Sequence, residues 1–288
     1  MSQPLALDTT PSAERRQIEF FRTQTPEHRL GLAFELTAFA VAASRAAIRR
    51  AHPHLTELER ARLLVALQFD AQRAAQICRV PSLEGSMAFP AAIVPVADAF
   101  DQLQVPYYIA GSIASTAYSL PRTTNDVDIV AALHVDQVAA FVSRLEPDYY
   151  IDRSSVLDAI AHRGTFNMTH QATGINIDVF IPAGRPFDQE QFARAQGHVL
   201  PGVGREVKLA SPEDVLLNKL AWYELGNRVS DVQWRDVQSI LRVQGEALDI
   251  AYMRRWAAEL RVSDLLEAAL RGERPATPPD SLGQGRLF

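Results

Sequence analysis

Asp126, Asp128 and Asp178 are the residues of this chain best placed to do chemistry. Strand side chains alternate faces with period two. In the run 125–130 one face therefore carries Val127 and Ile129, and the other carries Asp126 and Asp128. The run 175–181 repeats the pattern, with Ile175, Ile177, Val179 and Ile181 opposite Asn176, Asp178 and Phe180. If the two runs are neighbours in one sheet, three carboxylates converge on one patch while their apolar partners fill the core. Like charges that close raise each other's pKa unless a cation neutralises them. Three oxygen donors with no Cys or His beside them suit a hard ion such as Mg²⁺ rather than zinc. Two such ions about 3.5–4 Å apart hold the attacking and leaving oxygens of an in-line displacement at phosphorus.

The elements that must position these acids lie just upstream. Residues 105–110 read as a short strand with Pro106 near its start, Gly111-Ser112 breaks it, and Ile113 to Tyr118 reads as a helix. Glycine lets backbone approach a ligand closely. Ser112 is expected at the helix N-terminus, where free amides and the macrodipole favour a phosphate. The competing reading of Thr123-Thr124-Asn125-Asp126-Val127-Asp128 is a strand-entry turn, because Asn and Asp cap turns with their own side chains. The order Gly-Ser, Asp-x-Asp, third Asp, each on a polar strand face, favours the site.

Gly111-Ser112, Arg122-Thr123-Thr124-Asn125-Asp126-Val127-Asp128-Ile129 and Ile177-Asp178-Val179 resemble the signature of the polymerase-β-type nucleotidyltransferase superfamily. Arg122-Thr123, the segment Ser211 to Leu220, and Gln233-Trp234-Arg235-Asp236-Val237 resemble its minimal, AbiEii-like branch. The resemblance covers roughly residues 90–270. It implies an α/β (α+β) nucleotidyltransferase fold, a mixed sheet flanked by helices with added N- and C-terminal helices. It also implies an NTP donor, two Mg²⁺ (or Mn²⁺) ions and release of pyrophosphate. Asp126, Asp128 and Asp178 would bind metal and act in catalysis. Gly111, Ser112, Arg122 and Lys219 would hold the nucleotide. Arg122 reads equally as a solvated loop arginine, and Lys219 as a surface charge on a helix capped by Ser211 with Pro212 at its first position. Asp236 is expected to pair with Arg228 or Arg235. The acceptor is left open among RNA (tRNA included), protein and small molecules. Two alternatives stand beside the transferase: a non-catalytic nucleotide-binding regulatory protein on the same fold, and a Mg²⁺-dependent phosphohydrolase.

Composition sets looser bounds. At 288 residues and 47% hydrophobic content, the chain can bury a substantial core. Its net charge of −5 supplies no global attraction to nucleic acid, so a polynucleotide acceptor would need a local patch. Arg45, Arg49 and Arg50, or Arg254, Arg255 and Arg261, are the candidates, and their helical spacing reads equally as solvated faces. Cys78 is the single cysteine, and residues 1–11 lack a basic and apolar leader, so a cytoplasmic location is expected. Leu30 to Ile48 is interrupted by Glu35 and Arg45 and reads as an amphipathic helix, with no membrane partner expected. Gly202-Val203-Gly204 reads as a turn, and no Gly-x-x-x-x-Gly-Lys phosphate loop occurs.

Punctuation divides the chain into a loose segment 1–12, a helical module 13–80, a linker 81–89, a core 90–210, a helical part 211–271 and an unfolded tail 272–288. Thr25-Pro26-Glu27 and Thr56-Glu57 mark helix starts within the module. Its sequence from Thr25 to Pro53 resembles a small helical family whose members occur beside nucleotidyltransferases. That resemblance implies a natural fusion in a toxin–antitoxin arrangement, with the helical half acting in cis as partner or inhibitor. The plainer reading is a helical cap that completes the core.

Overall fold

The computed structural model describes residues 9–275, so most of the segment 1–12 and of the tail 272–288 lies outside the described residues. The first helices start where their caps predict. Helix α1 (Pro11–Arg22) is capped by Thr10, α2 (Pro26–Ala51) by Thr25 and α3 (Glu57–Gln68) by Thr56. Thr56 forms a full capping box, its hydroxyl accepting from the Glu59 amide while the Glu59 carboxylate accepts from the Thr56 amide. The short α4 (Ala71–Ala75), capped by Asp70, ends the N-terminal helices.

The remaining elements follow as α5 (Ala88–Gln102), β1 (Tyr107–Ile109), α6 (Gly111–Tyr118), β2 (Asp126–Ala131), α7 (Val138–Leu145), β3 (Tyr149–Ile151), α8 (Arg153–His162), β4 (Thr165–His170) and β5 (Asn176–Phe180). Then come α9 (Pro186–Arg194), β6 (Gln196–Val199), β7 (Glu206–Leu209), α10 (Pro212–Leu225), α11 (Asp231–Gln244), α12 (Ile250–Glu259) and α13 (Ser263–Leu270). The strands form one seven-stranded sheet in the order β3-β4-β5-β2-β1-β7-β6. β2 pairs with β5, and β1 with β7, in parallel, while the other neighbours run antiparallel. The chain therefore has the expected α/β class, a mixed sheet flanked by helices with helical additions at both ends.

Alternation fills the core as the pattern requires. Val127, Ile129, Ile177 and Val179 are fully buried and join Phe100, Ile109, Phe141 and Leu216 in one cluster. Leu30 and Phe34 of α2 belong to the same cluster, Phe34 stacking on Phe89 at 5.0 Å. Arg29 is buried and donates to the carbonyls of Ala117, Phe21 and Gln24, which ties α2 to the end of α6. α1 is tied to α11 by Arg242, which pairs with Glu14 at 2.8 Å. α3 and α4 instead share a small separate cluster of Val65, Ala74 and Ile77. α2 is long and apolar enough to cross a membrane by length and composition, and it packs one face inward while Leu36 and Phe39 are exposed.

Candidate active site

The break between β1 and α6 is set by Gly111. Its φ of +54° lies in the left-handed region, and a Cβ there would collide with the Asp128 carboxylate. Only glycine meets both demands at once. The close approach lets the Ser112 amide, in the first turn of α6, donate to Asp128. The parallel pairing of β2 with β5 sets Asp126 beside Asn176 and Asp128 beside Asp178. All three acids thus lie on one face of the sheet, Asp128 and Asp178 one strand spacing apart (about 4.8 Å) and Asp126 two residues away along β2. Asn176 donates to Asp178 Oδ1 at 3.0 Å and orients that carboxylate.

Crowding shows in the protonation of the acids. Burial, then repulsion from Asp126 and Asp178, pushes the Asp128 carboxyl up to about 7, against the pull of Lys219 and the Ser112 amide. Burial also raises Asp178, although Arg73 and the Asn176 amide oppose it. Both shifts describe negative charge that a cation would relieve.

A second network borders the first. Arg122 holds Asp236 with two parallel bonds, Nε to Oδ1 at 2.9 Å and Nη2 to Oδ2 at 2.8 Å, and Nη2 also donates to Ser112 Oγ at 2.8 Å. Lys219 is 5% exposed, lies 2.6 Å from Asp236 Oδ2, and donates to Gln233 Oε1 at 3.3 Å. Burial alone would raise Asp236, but Lys219 and Arg122 outweigh it and hold the carboxyl below its ordinary range. Burial depresses the Lys219 ammonium, with Asp236 opposing. The expectation that Asp236 pairs with Arg228 or Arg235 is therefore corrected. Arg228 pairs with Glu224 and Asp264 instead, and Asp236 is the hub that aims Arg122 and Lys219 at the acids. A signal for this was present, since Gln233 and Asp236 are three apart on α11 and share a helix face.

One partner had no signal in the sequence. Arg73, from α4, places Nη2 at 3.1 Å from both oxygens of Asp178. Its guanidinium also lies over the Phe69 ring, 5.0 Å from the centroid. Next to it Gln76 donates to Asn167 Oδ1 at 2.9 Å and accepts from the Thr169 hydroxyl at 2.6 Å. The acid face of β5 is consequently covered, and Asn176 and Asp178 are both buried, at 2% and 9% exposure. The donor set fits a hard cation: oxygen ligands on one face, mutual repulsion, and a guanidinium standing in for a positive ion at Asp178. As the side chains stand, no group of three or more His, Cys, Asp or Glu among the described residues closes round a common point.

The proposed basic patches are largely engaged. Arg45 pairs with Glu84, Arg49 lies 3.6 Å from Glu57, and Arg254 pairs with Glu267 at 2.7 Å. Arg255 stacks on Trp256.

Fold and site together define an α/β protein with a carboxylate cluster beside a Gly-Ser helix N-terminus. Residues 22–73 match the Rv0078B-related antitoxin family, a span that covers α2 and α3 and ends at Arg73. No curated protein matches the chain. Among solved structures, the chain is similar to an antigenic nucleotidyltransferase-like protein from Paracoccidioides brasiliensis, at 19% identity and TM-score 0.38, over 64% of this chain and 93% of that one. It is also similar to the antibiotic-resistance factor ANT(2'')-Ia, at 16% identity and TM-score 0.38, over 63% of this chain and 94% of that one. A structure of ANT(2'')-Ia in complex with adenylyl-2''-tobramycin gives 14% identity and TM-score 0.35, over 59% and 95%.

Proposed function

We propose that this chain transfers an NMP group from an NTP to a hydroxyl or amine of an acceptor, as a metal-dependent nucleotidyltransferase of the AbiEii-like kind. The observation that carries the reading is the register that sets Asp128 against Asp178 at the N-terminus of α6, where only Gly111 fits. Asp126, Asp128 and Asp178 are the residues that would hold two Mg²⁺ or Mn²⁺ ions. Such ions, when bound, neutralise charge on the reacting phosphate and bring the attacking and leaving oxygens into line.

The chain's own residues supply the remainder. Ser112 and the free amides of the first turn of α6 bind the β- and γ-phosphates. Arg122 and Lys219, fixed by Asp236, add positive charge that needs no reorganisation during the reaction. Asp178 accepts the acceptor's proton as a new bond forms to the α-phosphorus and the bond to pyrophosphate breaks. The antitoxin-family match over 22–73 supports reading the chain as a toxin–antitoxin type fusion, with tRNA or protein as the acceptor classes to test first.

The test incubates full-length protein with Mg²⁺ or Mn²⁺, each of four α-³²P NTPs, and a cell extract containing RNA and protein. Label should appear on a macromolecule and be lost in the double variant Asp126→Ala/Asp128→Ala. The engagement of Asp178 by Arg73 also favours a second reading, a nucleotide-binding regulatory protein that does not turn over. Metal-dependent NTP binding with no labelled product in any condition would decide for that reading. Free nucleotide without labelled acceptor would make the chain a phosphohydrolase.

A further inference from the structure

Asp178 has a cation already. Arg73 Nη2 is equidistant, at 3.1 Å, from its two oxygens and so lies on the open side of the carboxylate. A divalent ion ligated by the same carboxylate would stand about 2.0–2.1 Å from oxygen. The guanidinium and the ion cannot share that position. Arg73 is the last residue of the antitoxin-related span, and it reaches a strand 105 positions away in the chain.

The lobe that carries Arg73 is attached in a way that permits release. α3 and α4 bury their apolar side chains in their own cluster of Val65, Ala74 and Ile77, apart from the main core. Their hold on the sheet is largely polar: Gln76 to Asn167 and Thr169, the Gln171 side-chain amide to the Gln76 carbonyl at 2.8 Å, and the Cys78 amide to Gln171 Oε1 at 2.9 Å, with Ile77 against Gly174 as the apolar contact. Water can replace each of these bonds when they open. A cavity of about 280 Å³ lies between α2, α3 and the segment 81–85 on one side, and Thr124, Asn125 and residues 173–175 on the other. The α3 side of the lobe is thus not closed by packing against the entry to β2 and the turn between β4 and β5.

We propose that the α3–α4 lobe is a cis-acting latch in which Arg73 occupies the cation position of Asp178, so that metal loading requires α4 to withdraw. This rests on the nucleotidyltransferase reading of the three acids. The latch differs from a simple cover because it acts on one subsite. Asp126 and Asp128 make no contact with Arg73 and are left free to take a first ion, whereas the ion shared with Asp178 is excluded until the arginine leaves.

The test is Mn²⁺ binding to the full chain, followed by loss of the free-ion electron paramagnetic resonance signal, with no nucleotide and no turnover. Wild type should show one tighter and one weak ion. Arg73→Ala should tighten the weak ion at least tenfold, Gln76→Ala should do so less, and Asp178→Asn should lose that ion. Circular dichroism confirms that each variant is folded, and Gln76→Ala keeps the question open to experiment if Arg73→Ala does not fold. Amide exchange gives an independent reading. Residues 74–78 should exchange faster when Mn²⁺ and an α,β-methylene NTP are added, and should already be fast in Arg73→Ala without them. Equal Mn²⁺ binding in wild type, Arg73→Ala and Gln76→Ala would overturn the latch while leaving the three-acid site standing. Weaker NTP binding in Arg73→Ala without tighter Mn²⁺ would make Arg73 a phosphate ligand and overturn it too. No Mn²⁺ binding in any variant, including the latch variants, would remove both the latch and the metal-dependent reading.

Discussion

Replacing Asp128 by Asn should stabilise the metal-free protein, and the gain should depend on pH in a particular way. The folded state holds the Asp128 carboxyl at about 7, whereas an unfolded chain holds it near 3.8. Between those values the folded protein binds more protons than the unfolded one. Stability contributed by this group is therefore full at low pH and lost as pH rises through that window. A difference of about three pH units at about 1.4 kcal/mol each sets a ceiling of about 4 kcal/mol. Lys219 and the Ser112 amide already stabilise part of the charge, and Asp178 can shed some of the repulsion by protonating. A net gain of about 2 kcal/mol at pH 7.5 is expected for Asp128→Asn, which keeps the shape and the acceptor for the Ser112 amide. For a chain of this size that corresponds to a rise of roughly 4–8 °C in Tm. At pH 4.5 the gain should fall below about 1 kcal/mol, because Asp128 is then protonated in the folded wild type and the pH stands less than one unit above the value the carboxyl has in the unfolded chain. Thermal unfolding in EDTA at the two pH values measures this directly. Saturating Mn²⁺ should reverse the order at pH 7.5, stabilising wild type and leaving the variant unmoved. A destabilised Asp128→Asn at pH 7.5, or a gain equal at both pH values, would refute the claim that burial and the neighbouring acids together hold the Asp128 carboxyl up.

Three other substitutions probe the frame of the site. Gly111→Ala should cost at least about 2 kcal/mol, since it adds a strained φ to a clash with Asp128, and urea denaturation with Mn²⁺ binding should show both stability and affinity falling. Asp236→Asn strips the counter-ion from buried Lys219 and from Arg122, so it should cost about 3 kcal/mol by denaturant melts and weaken NTP binding at least tenfold. Arg29→Met removes donors from three carbonyls while keeping bulk, so a loss of about 2–4 kcal/mol is expected, with Mn²⁺ affinity unchanged at temperatures where the chain stays folded.

Much of the frame was legible because it depends on near neighbours in the chain. Period-two alternation in 125–130 and 175–181 anticipated which side chains enter the core, and the strands occur there with Val127, Ile129, Ile177 and Val179 buried. Caps announced helix starts at Pro26, Glu57 and Pro212, where Thr25, Thr56 and Ser211 each accept an amide of the first turn. The burial of Asn176 and Asp178 was not legible, since a polar strand face reads as solvent-facing unless something is known to cover it. α4 covers it, and a five-residue helix with no apolar periodicity leaves little trace in a sequence.

The sequence by itself determined that Asp126 and Asp128 share one face of their strand, that Asp178 lies on the polar face of its own, and that a glycine stands where the neighbouring helix starts. Alternation, capping and glycine's conformational freedom all act within a few residues, so residue order is enough to specify them. Tertiary structure alone decided which cations meet those acids. Arg73 meets Asp178 across 105 positions and Arg122 meets Asp236 across 114. With 29 Lys and Arg and 34 Asp and Glu in the chain, charge alone selects no pairing. Only packing of α4 on the sheet and of α11 beside α6 brings these particular groups within hydrogen-bond reach.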